Sequence, residues 1–165
     1  MILFLDTTYI FPYAGVDLYN NGQKVWDAED LENLMSLEHK LLYCDLSLFE
    51  IYAKCLKLSI KGQLSANLED IQSNLVSLSR SKRFTQIQFL PNSIDQEFLQ
   101  ELRKIHTDTF DCILLYLAVG FADYFITMDE TLKETVFSSV FCMNWIASHN
   151  KSFQILVKET NFHTV

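Results

Sequence analysis

The chain has 165 residues, of which 49% are hydrophobic, and its 13 basic and 21 acidic residues give a formal net charge of −8. This length and apolar content predict one domain, residues 1–165, with a substantial core. The acidic balance counts against nonspecific nucleic-acid binding through a large basic face. It does not exclude a metal-dependent nuclease, because carboxylates that bind cations contribute to the negative charge.

The sequence contains four cysteines, Cys44, Cys55, Cys112 and Cys142. They form no CxxC pair, and their distribution is typical of buried, reduced thiols in a cytosolic protein. The apolar start is too short for a signal peptide and contains Asp6. The longest apolar run, residues 112–122, is too short to span a bilayer. We therefore expect a soluble, cytoplasmic protein that does not bind a membrane.

The first predicted element is an apolar strand, residues 2–5, that ends at Asp6. A short run of this kind is typical of a strand buried on both faces. An acidic residue directly after such a strand lies where open parallel sheets form their binding crevices. A short helix can begin in 7–14, where Pro12 and Gly15 limit its length.

The next segment, residues 16–26, contains an Asn-Asn-Gly turn signal and is either a small hairpin or a loop. Helical spacing resumes at Leu31, and a second buried strand is expected at 41–44. The helix after that strand has an apolar face with a regular 3.6-residue period, formed by Leu46, Phe49, Ala53, Leu56 and Ile60.

A further helix is predicted over 64–78, followed by an alternating stretch, 84–90, that is typical of a half-exposed strand at a sheet edge. Pro91 ends this strand. Residues 93–96 have the pattern of a capping box, which predicts a helix running through Ile105.

The last third of the chain continues the same alternation. Thr107-Asp108 opens a helix to about Gly120, and a buried strand follows at 124–127. Residues 130–149 are predicted to be helical, and 153–157 is a last strand. Because strands and helices alternate, the chain is expected to form an α/β fold with a parallel sheet covered by helices.

The position of each strand in the sheet follows from its composition. The two most apolar strands, 2–5 and 124–127, are expected in the centre. The two strands that contain glutamine, 84–90 and 153–157, are expected at the edges.

Acidic residues recur where predicted strands end and predicted helices begin: Asp6, Glu50, Asp108, Asp111 and Asp129. Glu50 and Asp111 are each expected in the first turn of a helix. In a sheet of βαβ units these positions share one edge, where like charges repel unless protons or cations relieve them. Oxygen ligands suit Mg²⁺ or Mn²⁺, and a pair of such ions can support phosphodiester hydrolysis.

Each of these residues also has a purely structural explanation. Asp108 and Asp111 could cap one helix and Asp129 the next, and Glu50 could belong to an i,i+4 ion pair. Asp6 has no required capping role after a buried strand. The prediction of a metal site therefore depends on the joint placement of the acids at one edge.

Four segments carry a resemblance to a known family: Phe4-Leu5-Asp6-Thr7-Thr8, Ser47-Leu48-Phe49-Glu50, Asp111-Cys112-Ile113-Leu114-Leu115-Tyr116-Leu117-Ala118 and Phe125-Ile126-Thr127-Met128-Asp129. In order and spacing they resemble the four motifs of the PIN-domain family, over nearly the whole chain. The resemblance implies a flavodoxin-like α/β/α fold with a five-stranded sheet of order 3-2-1-4-5. It also implies a metal-dependent endoribonuclease that cleaves single-stranded or structured RNA.

The resemblance further implies a set of catalytic and metal-binding residues. The acids that would bind Mg²⁺ or Mn²⁺ are Asp6, Glu50, Asp111 and Asp129. Asp108 could assist them, and Thr7 and Thr127 match the hydroxyls of the motifs. Because the family includes VapC-type toxins, the chain could be the toxin of a toxin–antitoxin pair, with an antitoxin as its protein partner.

The sequence is also compatible with functions other than a nuclease. The net acidity and the apolar helices at 28–39 and 64–79 favour a PIN-fold interaction subunit with little or no nuclease activity, and they are compatible with a homodimer. A haloacid-dehalogenase-type phosphatase also begins with an apolar strand and Asp, but it needs a second Asp where this chain has Thr8.

Further candidates for RNA contacts are two basic groups, Lys54, Lys57 and Lys61, and Arg80, Lys82 and Arg83. A solvated face is the favoured interpretation of both. Aromatic side chains near Asp6 could stack bases, but core or interface positions are more typical of them: Tyr9, Phe11 and Tyr13. His39, His106 and His149 lack paired ligand spacing, although His106 is close enough to Asp108 to contact the same edge.

Overall fold

A computed structural model describes residues 1–90, 94–158 and 162. The strands are β1 (Ile2–Leu5), β2 (Leu18–Asn20), β3 (Gln23–Trp26), β4 (Lys40–Cys44), β5 (Phe84–Ile87), β6 (Tyr124–Thr127) and β7 (Gln154–Val157). The helices are α1 (Thr7–Ile10), a 3-10 helix (Phe11–Ala14), α2 (Ala28–Ser36), α3 (Asp45–Ile60), α4 (Leu68–Arg80), α5 (Gln96–Ile105), α6 (Thr109–Phe121), α7 (Glu130–Ser138) and α8 (Val140–His149).

Five strands form a parallel sheet in the order β5-β4-β1-β6-β7. The two apolar strands β1 and β6 lie inside the sheet and the glutamine-bearing strands β5 and β7 lie at its edges, as the sequence predicts. The register pairs Phe4 with Leu42 on one side and with Phe125 on the other. The α/β architecture expected from the alternation of strands and helices is therefore confirmed.

Helices cover both faces of the sheet because its strands are apolar on both faces. Successive side chains of a strand point to opposite sides. Leu3 and Leu5 pack with residues of α1 to α4 and of the 3-10 helix, whereas Phe4 packs with residues of α5 to α8. Burial of apolar surface in these two clusters holds the helices on the sheet.

Residues 16–26, for which the sequence left two possibilities, contain a hairpin. β2 and β3 pair antiparallel, and the two residues between them, Asn21 and Gly22, have positive φ angles of 51° and 79°. Positive φ at both central residues is typical of the type I′ turns that join two strands tightly. At the end of the hairpin the buried Trp26 donates its indole N–H to the carbonyl of Tyr9 at 3.0 Å.

The third strand of the main sheet is shorter than the predicted 84–90. β5 ends at Ile87, which pairs with Cys44, the last residue of β4. The chain turns into α3 at Asp45, so the residues after Ile87 have no strand to pair with. The N–H of Phe89 instead donates to the carboxylate of Asp45 at 3.0 Å.

The regular apolar face predicted for α3 is not the face that packs on the sheet. Phe49 and Ile60 are 65% and 79% exposed, and Leu56 is 41% exposed. The buried residues of this helix are Ser47, Glu50, Ile51 and Cys55. We call the exposed residues Phe49, Tyr52, Leu56 and Ile60 the outer face of α3.

The predicted helix over 130–149 is two helices. Ser139 separates α7 from α8, and its hydroxyl accepts a hydrogen bond from the N–H of Cys142 at 3.3 Å. At α5 the N-cap is Asp95, whose carboxylate accepts from the N–H of Phe98 at 3.1 Å. The predicted contributions of Pro91 and Ser93 lie outside the described residues.

All four cysteines are buried and free of disulfide bonds, as predicted. None of the helices formed by the described residues has the length and apolar character needed to cross a membrane.

Candidate functional site

A cleft of about 450 Å³ lies at the edge of the sheet where the parallel strands end. The charged side chains that line it are Asp6, Glu50, Asp108, Asp111, Asp129, Glu130, Lys54 and Lys158. The structure therefore brings all five predicted acidic residues to one cavity, although they come from widely separated parts of the chain.

Asp6 lies at the end of β1 and is only 5% exposed. Its N–H donates to the carbonyl of Ile126 at 2.9 Å, which continues the pairing of β1 with β6. Its Oδ2 accepts hydrogen bonds from the hydroxyls of Thr8 at 2.8 Å and Thr127 at 2.9 Å. These bonds fix the orientation of the carboxylate in the cleft.

Glu50 lies in the second turn of α3, not in the first turn as predicted, because the helix begins at Asp45. It is 8% exposed, and its Oε2 accepts a hydrogen bond of 2.6 Å from the hydroxyl of Thr7. Its Oε1 lies 2.6 Å from Nζ of Lys54, so the predicted i,i+4 ion pair is also present. Burial lowers the pKa of Lys54, but the hydrogen bond to Glu50 and the nearby acidic charges outweigh it and hold that pKa above its usual range.

Asp111 and Asp129 meet at the imidazole of His106. Nε2 of His106 lies 3.2 Å from Oδ2 of Asp111 and 3.5 Å from Oδ2 of Asp129. One ligand atom from each of the three residues lies within 4.8 Å of the others. Such a spacing allows all three side chains to bind one cation.

Two of the acids, Asp108 and Asp129, also cap helices, as the alternative explanation from the sequence predicted. Oδ1 of Asp108 accepts from the N–H of Phe110 at 2.8 Å and of Asp111 at 3.4 Å, at the start of α6. Oδ1 of Asp129 accepts from the N–H of Leu132 at 3.0 Å, at the start of α7. For Asp129 the other oxygen is the one that faces His106, so capping and cation binding are compatible there.

The electrostatics of the cleft are those of carboxylates held together away from water. Burial raises the pKa of Asp111 to about 8, and nearby acidic charges, that of Asp6 first, add to the rise. Burial also raises the pKa of Asp6, although the hydroxyl bonds from Thr8 and Thr127 act against it. Ionised carboxylates in this arrangement are unfavourable without a compensating positive charge.

The donor set fits a divalent cation. Carboxylate oxygens are the ligands that Mg²⁺ and Mn²⁺ prefer, and clustered acids of raised pKa are relieved when a cation binds. Among the described residues, those whose ligand atoms lie close enough together to hold one ion are His106, Asp111 and Asp129. Asp6 and Glu50 line the same cleft. Lys54 already neutralises part of the charge at Glu50.

The sequence offers His106 as a candidate for contact with this edge, because it is close to Asp108, but it does not predict His106 as a metal ligand. It follows the C-terminal end of α5, five residues before Asp111, and its ring contacts two acids that line the cleft, Asp111 and Asp129. No regular spacing in the sequence predicts that His106 lies beside these acids, because its position depends on how α5 packs beside α6. Its closeness to the predicted acids along the chain was the one available signal.

The remaining candidates for RNA contact have other roles or positions. Tyr9 and Phe11 are buried in the core, and Tyr13 packs edge-to-face on Phe84, so the core interpretation of these aromatic residues is confirmed. Lys57, on α3, and Lys61, directly after it, are exposed and do not line the cleft.

In comparisons with known proteins, no protein-family model matches the chain, and no curated protein matches its sequence.

Proposed function

We propose that this protein is a PIN-type nuclease, a Mg²⁺- or Mn²⁺-dependent endoribonuclease that hydrolyses phosphodiester bonds of single-stranded RNA. The observation that carries the proposal is the convergence of separate acidic residues on one cleft at the carboxyl edge of a parallel sheet. The catalytic, metal-binding residues are Asp6, Glu50, Asp111 and Asp129. The strand order β5-β4-β1-β6-β7 supports a PIN-like, flavodoxin-like class of fold.

One or two divalent cations bound in the cleft would supply the activation of water and the stabilisation of the leaving oxygen that phosphodiester hydrolysis requires. The protein's own contribution is orientation. Thr8 and Thr127 hold the carboxylate of Asp6, and Thr7 holds that of Glu50. Lys54 and Lys158 lie in the same cleft, where their ammonium groups would attract the phosphates of RNA.

In the cell, such a nuclease would act as the toxin of a toxin–antitoxin pair, and its protein partner would be the antitoxin. The four free and buried cysteines support a location in the reducing cytoplasm. Asp108 belongs to the proposed site as an assisting residue, since it lines the cleft while it caps α6.

Cleavage of single-stranded RNA in the presence of Mn²⁺ tests the proposal. We expect the unmodified chain to cut the RNA, and the variants Asp6→Asn and Asp111→Asn to lose the activity. A matched control is Asp70→Asn, because Asp70 is exposed on α4 and lies outside the lining of the cleft. Equal activity in all four proteins would show that the cleft is not a nuclease site.

The second candidate function is a PIN-fold interaction subunit with little nuclease activity. The specific observation that favours it is the outer face of α3, where Phe49 and Ile60 are mostly exposed. Exposed apolar side chains that are neighbours on a helix are typical of protein-binding surfaces. This function predicts no metal-dependent rise in melting temperature, together with tight association to a second protein or a second copy that Phe49→Glu and Ile60→Glu abolish.

A further inference from the structure

His106 is a buried imidazole in contact with two of the acids that line the cleft. It is 6% exposed, and its Nε2 lies 3.2 Å from Oδ2 of Asp111 and 3.5 Å from Oδ2 of Asp129. Metal–ligand bonds of about 2.1 Å place neighbouring ligand atoms about 3 to 3.5 Å apart. The two observed separations, the shorter of which is also a hydrogen-bond contact between His106 and Asp111, fall within the range expected of ligands around one ion.

Contacts of its backbone hold His106 in this position. It is the C-cap of α5: its N–H donates to the carbonyl of Leu102 at 2.9 Å, and its own carbonyl accepts from Nη1 of Arg103 at 2.9 Å. Sγ of Cys112, in α6, lies 3.9 Å from the same carbonyl. These contacts hold the backbone of His106 at the junction of α5 and α6, where its imidazole lies beside Asp111 and Asp129.

We propose that His106 supplies a nitrogen ligand to the cation held by Asp111 and Asp129, and that this nitrogen makes the site prefer Mn²⁺ to Mg²⁺. The inference rests on the proposed metal-dependent function and specifies which ion it uses. Mg²⁺ is bound almost entirely by oxygen, whereas imidazole nitrogen is a good ligand for divalent transition metals. A site of carboxylates alone would lack this source of selectivity.

Pulsed electron paramagnetic resonance of the Mn²⁺-loaded full chain tests the ligand directly. We expect a nitrogen hyperfine coupling to Mn²⁺ that changes from the ¹⁴N to the ¹⁵N pattern when the chain is produced with ¹⁵N-labelled histidine. This measurement needs no mutation, so it remains decisive if a variant of the buried His106 fails to fold.

Calorimetric titration with Mn²⁺ and with Mg²⁺ tests the selectivity. For His106→Gln we expect Mn²⁺ affinity to fall by at least about 10-fold, because loss of a residue that only supports a ligand already costs about 10- to 100-fold, and Mg²⁺ affinity to fall by a smaller factor. His149→Gln is the matched control, because His149 is exposed on α8 and stacks on Trp145. We expect it to keep both affinities and the ¹⁴N coupling.

The outcomes separate this inference from the proposed function. Mn²⁺ that binds without nitrogen coupling, or a His106→Gln variant with an unchanged ratio of Mn²⁺ to Mg²⁺ affinity, overturns the role of His106 and leaves a carboxylate site. His106 would then be only a partner of the two acids. A chain that binds neither ion overturns the inference and the metal-dependent nuclease together.

Discussion

The hydroxyl of Thr127 donates a hydrogen bond of 2.9 Å to Oδ2 of Asp6, and so joins the last residue of β6 to the residue that follows β1. Thr127 is 0% exposed and Asp6 is 5% exposed. A buried carboxylate that accepts a hydroxyl bond is stabilised in its charged form. The bond therefore helps to keep Asp6 ionised and correctly oriented at the centre of the proposed site.

Replacing Thr127 by Val keeps the shape of the side chain and removes this bond, together with the bond of 3.1 Å that the Thr127 hydroxyl accepts from the N–H of Asp129. We expect a loss of about 1 kcal/mol in the free energy of unfolding and a fall of about tenfold or more in metal affinity or RNA cleavage. The measurements are urea unfolding and calorimetric Mn²⁺ titration. Thr85→Val, at an exposed position of β5, is the control and should leave Mn²⁺ affinity unchanged; a Thr127→Val variant with wild-type affinity contradicts the prediction.

The stability of the cation-free protein should depend on the protonation of Asp111. Its pKa is about 8 in the folded chain, against an ordinary value of 3.8. Between these pH values the folded state binds a proton that the unfolded state has released, so the free energy of unfolding falls as pH rises through this window. In chelator, urea unfolding should show this fall for the wild type and a smaller one for Asp111→Asn. Identical pH profiles for the two proteins would rule out the titration of Asp111 as the cause.

Lys54 should compete with a divalent cation for Glu50. Its Nζ lies 2.6 Å from Oε1 of Glu50, and its side chain is 50% exposed. Because a partly exposed pair contributes about 0.5 to 1 kcal/mol, Lys54→Met should raise Mn²⁺ affinity by about two- to fivefold. Calorimetric titration measures the change, with Lys57→Met on the same helix as the control. A lower affinity in Lys54→Met would mean that Lys54 supports the cation site and does not oppose it.

Arg83 should be important for stability rather than for RNA binding. Its guanidinium donates to three backbone carbonyls at the C-terminal end of α2 and in the segment before β4, those of Met35, Leu37 and His39. The planar fork of arginine makes these bonds together, and a lysine cannot. We expect Arg83→Lys to lower the free energy of unfolding by about 1.5 to 3 kcal/mol. Urea unfolding measures the loss, and the exposed Arg80→Lys should show little change.

Two isoleucines of α3 give a matched test of which face of the helix is buried. Ile51 is 0% exposed and Ile60 is 79% exposed. The same change, to Ala, should lower the free energy of unfolding by about 2 to 5 kcal/mol at Ile51 and by about 0.5 kcal/mol or less at Ile60. Thermal or urea unfolding of the two variants measures both losses. Equal losses at the two positions would place the outer face of α3 in the core.

Local patterns predicted most of the elements because the period of apolar residues is set by the geometry of a strand or a helix. They were less successful where the length or the orientation of an element depends on another element that packs against it. β5 is shorter than 84–90 because β4 ends at Cys44. The packing face of α3 was not predicted because both of its faces carry apolar residues, and in the structure it is the face with Ile51 and Cys55 that is buried in the core.

The sequence by itself determined that acidic residues would lie at the carboxyl edge of a parallel sheet, because the alternation of strands and helices brings those positions to one side. Only the tertiary structure decided which atoms meet there. It placed the hydroxyls of Thr8 and Thr127 on Asp6 and the imidazole of His106 between Asp111 and Asp129. Such contacts depend on how whole helices and strands pack against one another, and spacing along the chain does not record that packing.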